Sequence, residues 1–157
     1  MRAMEVLAVL SAAVLTHTAA RAQDAAQVFS HAEVQQQIEK LLPASLKNGS
    51  SGSTLGDYGM HALKLSVRST SGGAEIHAHF DDVMVVLDGS ATLIAGGTVI
   101  GARTDTHGET KGKEIVNGVK RTIRKGDILH IPAGTPHQLI LPKGGQFSAF
   151  VVKVREP

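Results

Sequence analysis

The chain has no cysteine and no tryptophan, a single tyrosine (Tyr58), and only 3% aromatic residues in 157. Without cysteine it forms no disulfide and carries no thiolate, so any metal must be held by nitrogen and oxygen. So few aromatic faces argue against sugar recognition by stacking and against single-stranded nucleic-acid binding. An excess of one charge is missing too: 16 basic and 14 acidic residues give a formal net charge of +2. That balance points to no nucleic-acid partner. The apolar stretch from Val6 to Leu15 is far short of the ~20 residues that span a bilayer, and no later run approaches that length. No phosphate-binding loop, dinucleotide fingerprint or Ser-His-Asp arrangement is visible.

What is present begins with a leader-like start. Met1-Arg2 is basic, the apolar stretch follows, and Ala20-Arg21-Ala22 reads as an A-x-A cleavage site before Gln23. Residues 1–22 are therefore expected to be a signal peptide, and the protein periplasmic or secreted; Glu5 is the one residue out of place. The other reading is an N-terminal helix or anchor. Cleavage leaves 135 residues, 14 basic and 13 acidic, enough for one domain.

Ser30 and Glu33 form a capping box with Phe29 and Val34 at the staple positions, and Val34, Ile38 and Leu41 recur at helical spacing. This predicts one short helix from His31 to Leu42, stopped by Pro43, and a flexible connector over 47–53. Residues 23–58 are thus read as helix and linker, and 59–157 as the folded barrel. From Gly59 onward short apolar runs alternate with turn pairs such as Asp88-Gly89, Gly96-Gly97 and Asn117-Gly118. Strands are expected at 60–68, 74–79, 83–87, 90–95, 98–101, 114–117, 119–124, 128–131, 137–141 and 146–154. Many strands without interleaved helices mean an all-β sandwich or barrel.

The last strand is apolar on both faces, with Phe147, Ala149 and Val151 on one and Phe150, Val152 and Val154 on the other. That second face is expected to be buried against another subunit, giving a homodimer, or against the N-terminal segment. Residues 101–113 have no apolar period and read as a long loop, on which His107 and Glu109 could reach the barrel mouth or stay solvated. Lys111, Lys113, Lys120, Arg121, Arg124 and Lys125 beside it read as a solvated face, or less readily as an edge that draws an anion.

Two stretches carry the chemistry. His77-Ala78-His79 leads into Asp81-Asp82 and the β-branched run at 83–87. Residues i and i+2 of a strand share a face, so both imidazoles can converge on one ion. With an acid and a third imidazole from His137 they supply a set suited to iron, manganese, nickel or zinc. His-x-His alone is weak, since eight histidines in 157 residues give chance pairs. The second stretch, Gly126, Pro132, Gly134 and His137, resembles the second motif of the cupin family (Gly, five residues, Pro-x-Gly, two residues, His) at every spacing. His77, His79 and Gly89 fit the first motif, and Asp82 stands where that motif has glutamate relative to Gly89.

The chain departs from the family in four places. Ser71 replaces the leading glycine, the acid is Asp, only two residues separate it from His79, and Leu141 stands where Asn is common. The resemblance, over about residues 60–154, implies a double-stranded β-helix (jelly-roll) barrel. It implies a divalent transition metal on His77, His79 and His137 with Asp82 fourth; Asp81, or no acid, stays open. His130 is either a group supporting the site or an outward residue, and His61 carries less weight. The expected partner is a small-molecule substrate or ligand. Two function classes follow: a metal-dependent, dioxygenase-like enzyme acting outside the cytoplasm, or a non-catalytic cupin serving as sensor, carrier or accessory subunit. Room and an acid or base beside the ion would favour the enzyme.

Overall fold

A computed structural model describes residues 26–157; the signal-peptide reading of residues 1–22 lies outside them. The first element is helix α1, His31–Asn48, capped as expected: the Ser30 hydroxyl accepts from the Glu33 amide and the Glu33 carboxylate accepts from the Ser30 amide. It is longer than the sequence indicates, running through Pro43 to a left-handed cap at Gly49. Tertiary contacts hold this extra turn. Ser45 is fully buried, Ser69 Oγ donates to its carbonyl at 2.6 Å, and Ser51 Oγ donates to the Leu41 carbonyl at 2.7 Å. Such bonds stabilise a helix end that local propensity alone would break.

Twelve strands follow: β1 Ser50–Asp57, β2 His61–Arg68, β3 Ala74–His77, β4 Phe80–Ala95, β5 Thr98–Ile100, β6 Arg103–Thr104, β7 Glu109–Gly112, β8 Glu114–Val116, β9 Val119–Arg124, β10 Ile128–Ile131, β11 His137–Ile140 and β12 Phe147–Arg155. The expected connector at 47–53 is thus the helix end and part of β1, which pairs antiparallel with β2. Its serines and glycine hide a strand whose stability comes from its neighbour. The expected loop at 101–113 is likewise built into the sheet, because β7 pairs with β3 and with β6. The polar sequence of 101–113 reflects an edge position: Thr104 and Thr110 join hydroxyls across β6 and β7 at 2.7 Å.

The strands form the double-stranded β-helix. One wall runs β1-β2-β12-β4-β10 and the other β9-β4-β11-β3-β7-β6, with the long strand β4 serving both. Its first half pairs with β12 and β10, its second with β9 and β11. The sequence suggests two strands here because Asp88-Gly89 looks like a turn; instead β4 bends there, with Gly89 at φ 82°. Alternation then puts Met84, Val86, Ala91, Leu93, Phe147 and Val151 inside one continuous core. Each of the larger side chains, Met84, Val86, Leu93, Phe147 and Val151, stabilises the fold by about 1.5–3 kcal/mol. The basic residues from Lys111 to Lys125 are all exposed, a solvated face. Among the described residues no helix is long and apolar enough to cross a membrane.

Candidate metal centre

Strand register assembles the site. In β3, Glu75 and His77 point into the barrel from alternate positions; His137 of β11 is paired with Glu75, and Glu109 of β7 is paired with His77. One ligand atom each from Glu75, His77 and His137 lies within 4.8 Å of the others, and the two imidazole rings are 5.0 Å apart between centroids. All three line a cavity of about 200 Å³ together with Asp82, Met84, Leu139, Phe147, Val151 and Lys153.

Both imidazoles are held by their Nδ1 atoms. His77 Nδ1–H donates to Glu109 Oε2 at 2.5 Å, and His137 Nδ1–H donates to the Thr135 carbonyl at 3.0 Å. This leaves each Nε2 for the cavity, the arrangement by which proteins orient imidazole ligands. His77 Nε2 is 3.3 Å from Asp82 Oδ2, and Asp82 Oδ1 is 3.1 Å from Lys153 Nζ, its cross-strand partner. The angles of that last contact are not those of a hydrogen bond, and neither atom has a hydrogen-bond partner among the described residues.

Titration follows this layout. Burial opposes a charged His77, but the bond to Asp82 and the pairing with Glu109 outweigh it and raise its pKa above the usual imidazole range. Burial, with the nearby His77, pushes His137 the other way. Asp82 is held below the ordinary carboxylate range because His77 and Lys153 outweigh its burial. The neutral His137 presents a lone pair, and His77 sits between two carboxylates where a cation, a proton or a metal, is favoured.

His79 is not brought into this cluster. The strand ends at His77, the chain turns through Ala78 and His79, and the exposed His79 ring lies beside Gly108, where an added Cβ would come within 3.0 Å of it. The shared-face argument therefore works in the opposite direction, through Glu75, which the sequence reading passed over although it stands two residues before His77. Asp82 faces the cavity, whereas Asp81 is on the outer face, accepting from the Ala133 amide at 2.7 Å and sitting 3.1 Å from the exposed His130. His61 stacks on Tyr58, away from the cavity, and His107 is exposed. Of the two residues singled out on the 101–113 segment, Glu109 alone reaches the site.

The donor set fits a first-row divalent ion. Bonds near 2.1 Å place ligand atoms up to about 4.2 Å apart, so a small side-chain adjustment closes the three atoms around one ion. Two imidazoles and one carboxylate with positions left open are the set used by non-haem iron. Glu109→Gln should keep the fold but weaken metal affinity about 10–100-fold by loosening the His77 tautomer. A competition titration checks this; unchanged affinity would mean Glu109 does not orient the ligand.

No family model and no curated protein matches the chain. Solved structures do. A double-stranded β-helix protein from Klebsiella pneumoniae is similar at TM-score 0.57 and 15% identity, over 82% of this chain and 90% of that one. The Cnp3 cupin domain of Schizosaccharomyces pombe is similar at 0.52 and 8%, over 69% and 66%. The polyketide cyclase RemF of Streptomyces resistomycificus is similar at 0.50 and 19%, over 70% and 69%. At such identities the likeness is one of fold, and the chain has the cupin fold.

Proposed function

We propose that this protein is a metal-dependent enzyme of the dioxygenase-like cupin type, acting on a small organic molecule outside the cytoplasm. The observation that carries the reading is the convergence of Glu75, His77 and His137 on a cavity with space beside them. Glu75, His77 and His137 would hold the ion, and a bound ion would supply Lewis-acid or dioxygen-activating chemistry at its open positions. The rest falls to the chain. Glu109 and the Thr135 carbonyl keep both Nε2 atoms aimed inward, the apolar wall of Met84, Leu139 and Phe147 limits water, and Lys153 places a cation beside the reacting region. Free space next to the ligands favours an enzyme over a carrier whose site is closed by side chains.

Export rests on the leader-like residues 1–22. A homodimer is supported by the outer face of β12, where Phe150 lies in one row with Val85 and Ile128, the last 73% exposed. One preparation tests all three readings. Protein isolated from its host without an affinity tag should begin near Gln23 by mass spectrometry, scatter light as two chains, and contain about one first-row metal per chain. Turnover of a small organic substrate under air should disappear on chelation. Retained Met1 on soluble cytosolic protein would end the export reading, a single-chain mass the dimer, and failure to take up iron, manganese, nickel or zinc the metal reading. Ligand binding without turnover by the metal form would replace the enzyme by a carrier.

A further inference from the structure

The cavity contains more positive charge than its own acids compensate. Lys64 and Arg68 project from β2 on the face that meets Val151 and Phe147, so both line the cavity, and both are partly buried. Of the two acids there, Asp82 is engaged by His77 and Lys153, while Glu75 joins the imidazoles. Among the described residues neither Lys64 nor Arg68 forms an ion pair. The Arg68 guanidinium lies against Gly72, where a Cβ would come within 2.6 Å of one of its nitrogens, so the small residue makes room for it. Unpaired charge in a cavity with apolar walls is costly until an anion arrives.

We propose that the cavity takes a small organic carboxylate, its anionic end held by Arg68 and Lys64 and its apolar body against Leu139, Phe147 and Val151. The planar fork of arginine matches a carboxylate through two parallel bonds, which lysine cannot reproduce. A divalent ion beside the imidazoles would add positive charge and strengthen the preference for an anion. The inference rests on the reading of this cavity as the substrate site and names the substrate class.

Calorimetric titration tests it with monocarboxylates from acetate to octanoate and benzoate, each beside its amide, and with inorganic phosphate, on metal-loaded and metal-free protein. At least one acid should bind about tenfold or more tightly than its amide, as expected for a charge-assisted pair, and the preference should persist without metal. Arg68→Met should erase it with metal content unchanged, and Arg68→Lys should restore part of it. If Arg68→Met does not fold, Lys64→Met should reduce the preference. Amides binding as well as acids, phosphate binding as tightly as every carboxylate, or discrimination that survives the substitution would overturn the proposal. Because metal content is measured in every sample, loss of discrimination with metal retained sinks the carboxylate alone. Discrimination without any metal uptake sinks the metal reading alone.

Discussion

His77→Ala should lose the metal, and His79→Ala should keep it. The two histidines are one residue apart in the His-x-His stretch, yet only His77 points into the barrel, between Glu109 and Asp82 and beside His137. Removing it takes away one of the three ligands proposed for a site whose other members are already placed. The fall in affinity should exceed the roughly 10–100-fold cost of losing an outer hydrogen-bonding partner. His79 is exposed in the turn, and its removal should change affinity by less than about twofold, as for a surface substitution away from the site. The barrel should still fold in His77→Ala, since its core does not depend on an ion as a zinc finger's does. Metal analysis with circular dichroism on the same samples checks both. Metal lost from both variants would mean that the ligand spacing of the cupin motif, and not the strand end seen here, governs the site, and metal kept by His77→Ala would mean that His77 is not a ligand.

Gly89→Ala should be the most damaging of the glycine-to-alanine changes. At φ 82° the residue occupies backbone space that other residues reach only at a cost of about 1–2 kcal/mol. An added Cβ would also fall 2.0 Å from the Gln146 carbonyl oxygen. That oxygen belongs to backbone leading into β12, whose Phe147 is paired with Gly89, so the two central strands would have to part beside a buried core residue. We expect a loss of about 3 kcal/mol, or a melting temperature lower by roughly 10 °C for a domain of this size. Gly134→Ala is the control. Its φ is 74° but nothing lies within 4 Å of the added Cβ, so it should show the conformational cost alone. Equal melting temperatures for the two variants would show that the close approach at Gly89 carries no weight.

The fold was readable because it is written in local pattern. Short apolar runs such as 83–87 and 147–152, punctuated by glycine turns, specify strands, and the stretch from Gly126 to His137 carries the resemblance that implies a cupin barrel. Elements that lack an apolar signal escaped notice. Strands β1, β6 and β7 are polar, and they are strands because a neighbour supplies the other half of their hydrogen bonds. The continuation of α1 past Pro43 was invisible for the same reason: the hydroxyls of Ser51 and Ser69 that take its carbonyls lie elsewhere in the chain.

By itself, then, the sequence determined the barrel, the capped helix, the exclusion of thiolate chemistry, and His77 and His137 as candidate ligands. Tertiary structure decided the rest of the site. Whether a strand stops at His77 or continues to His79 depends on the Ala78 amide meeting the Gly108 carbonyl, a contact between residues 30 apart that no local pattern records. That stop removes His79 from the cluster and leaves Glu75 as the residue sharing the face of His77. Register across β3 and β7 places Glu109 against His77, and register across β4 and β12 ties Asp82 to Lys153. Ligand geometry is fixed by which strands pair and at what offset, and that offset is a property of the whole packed sheet.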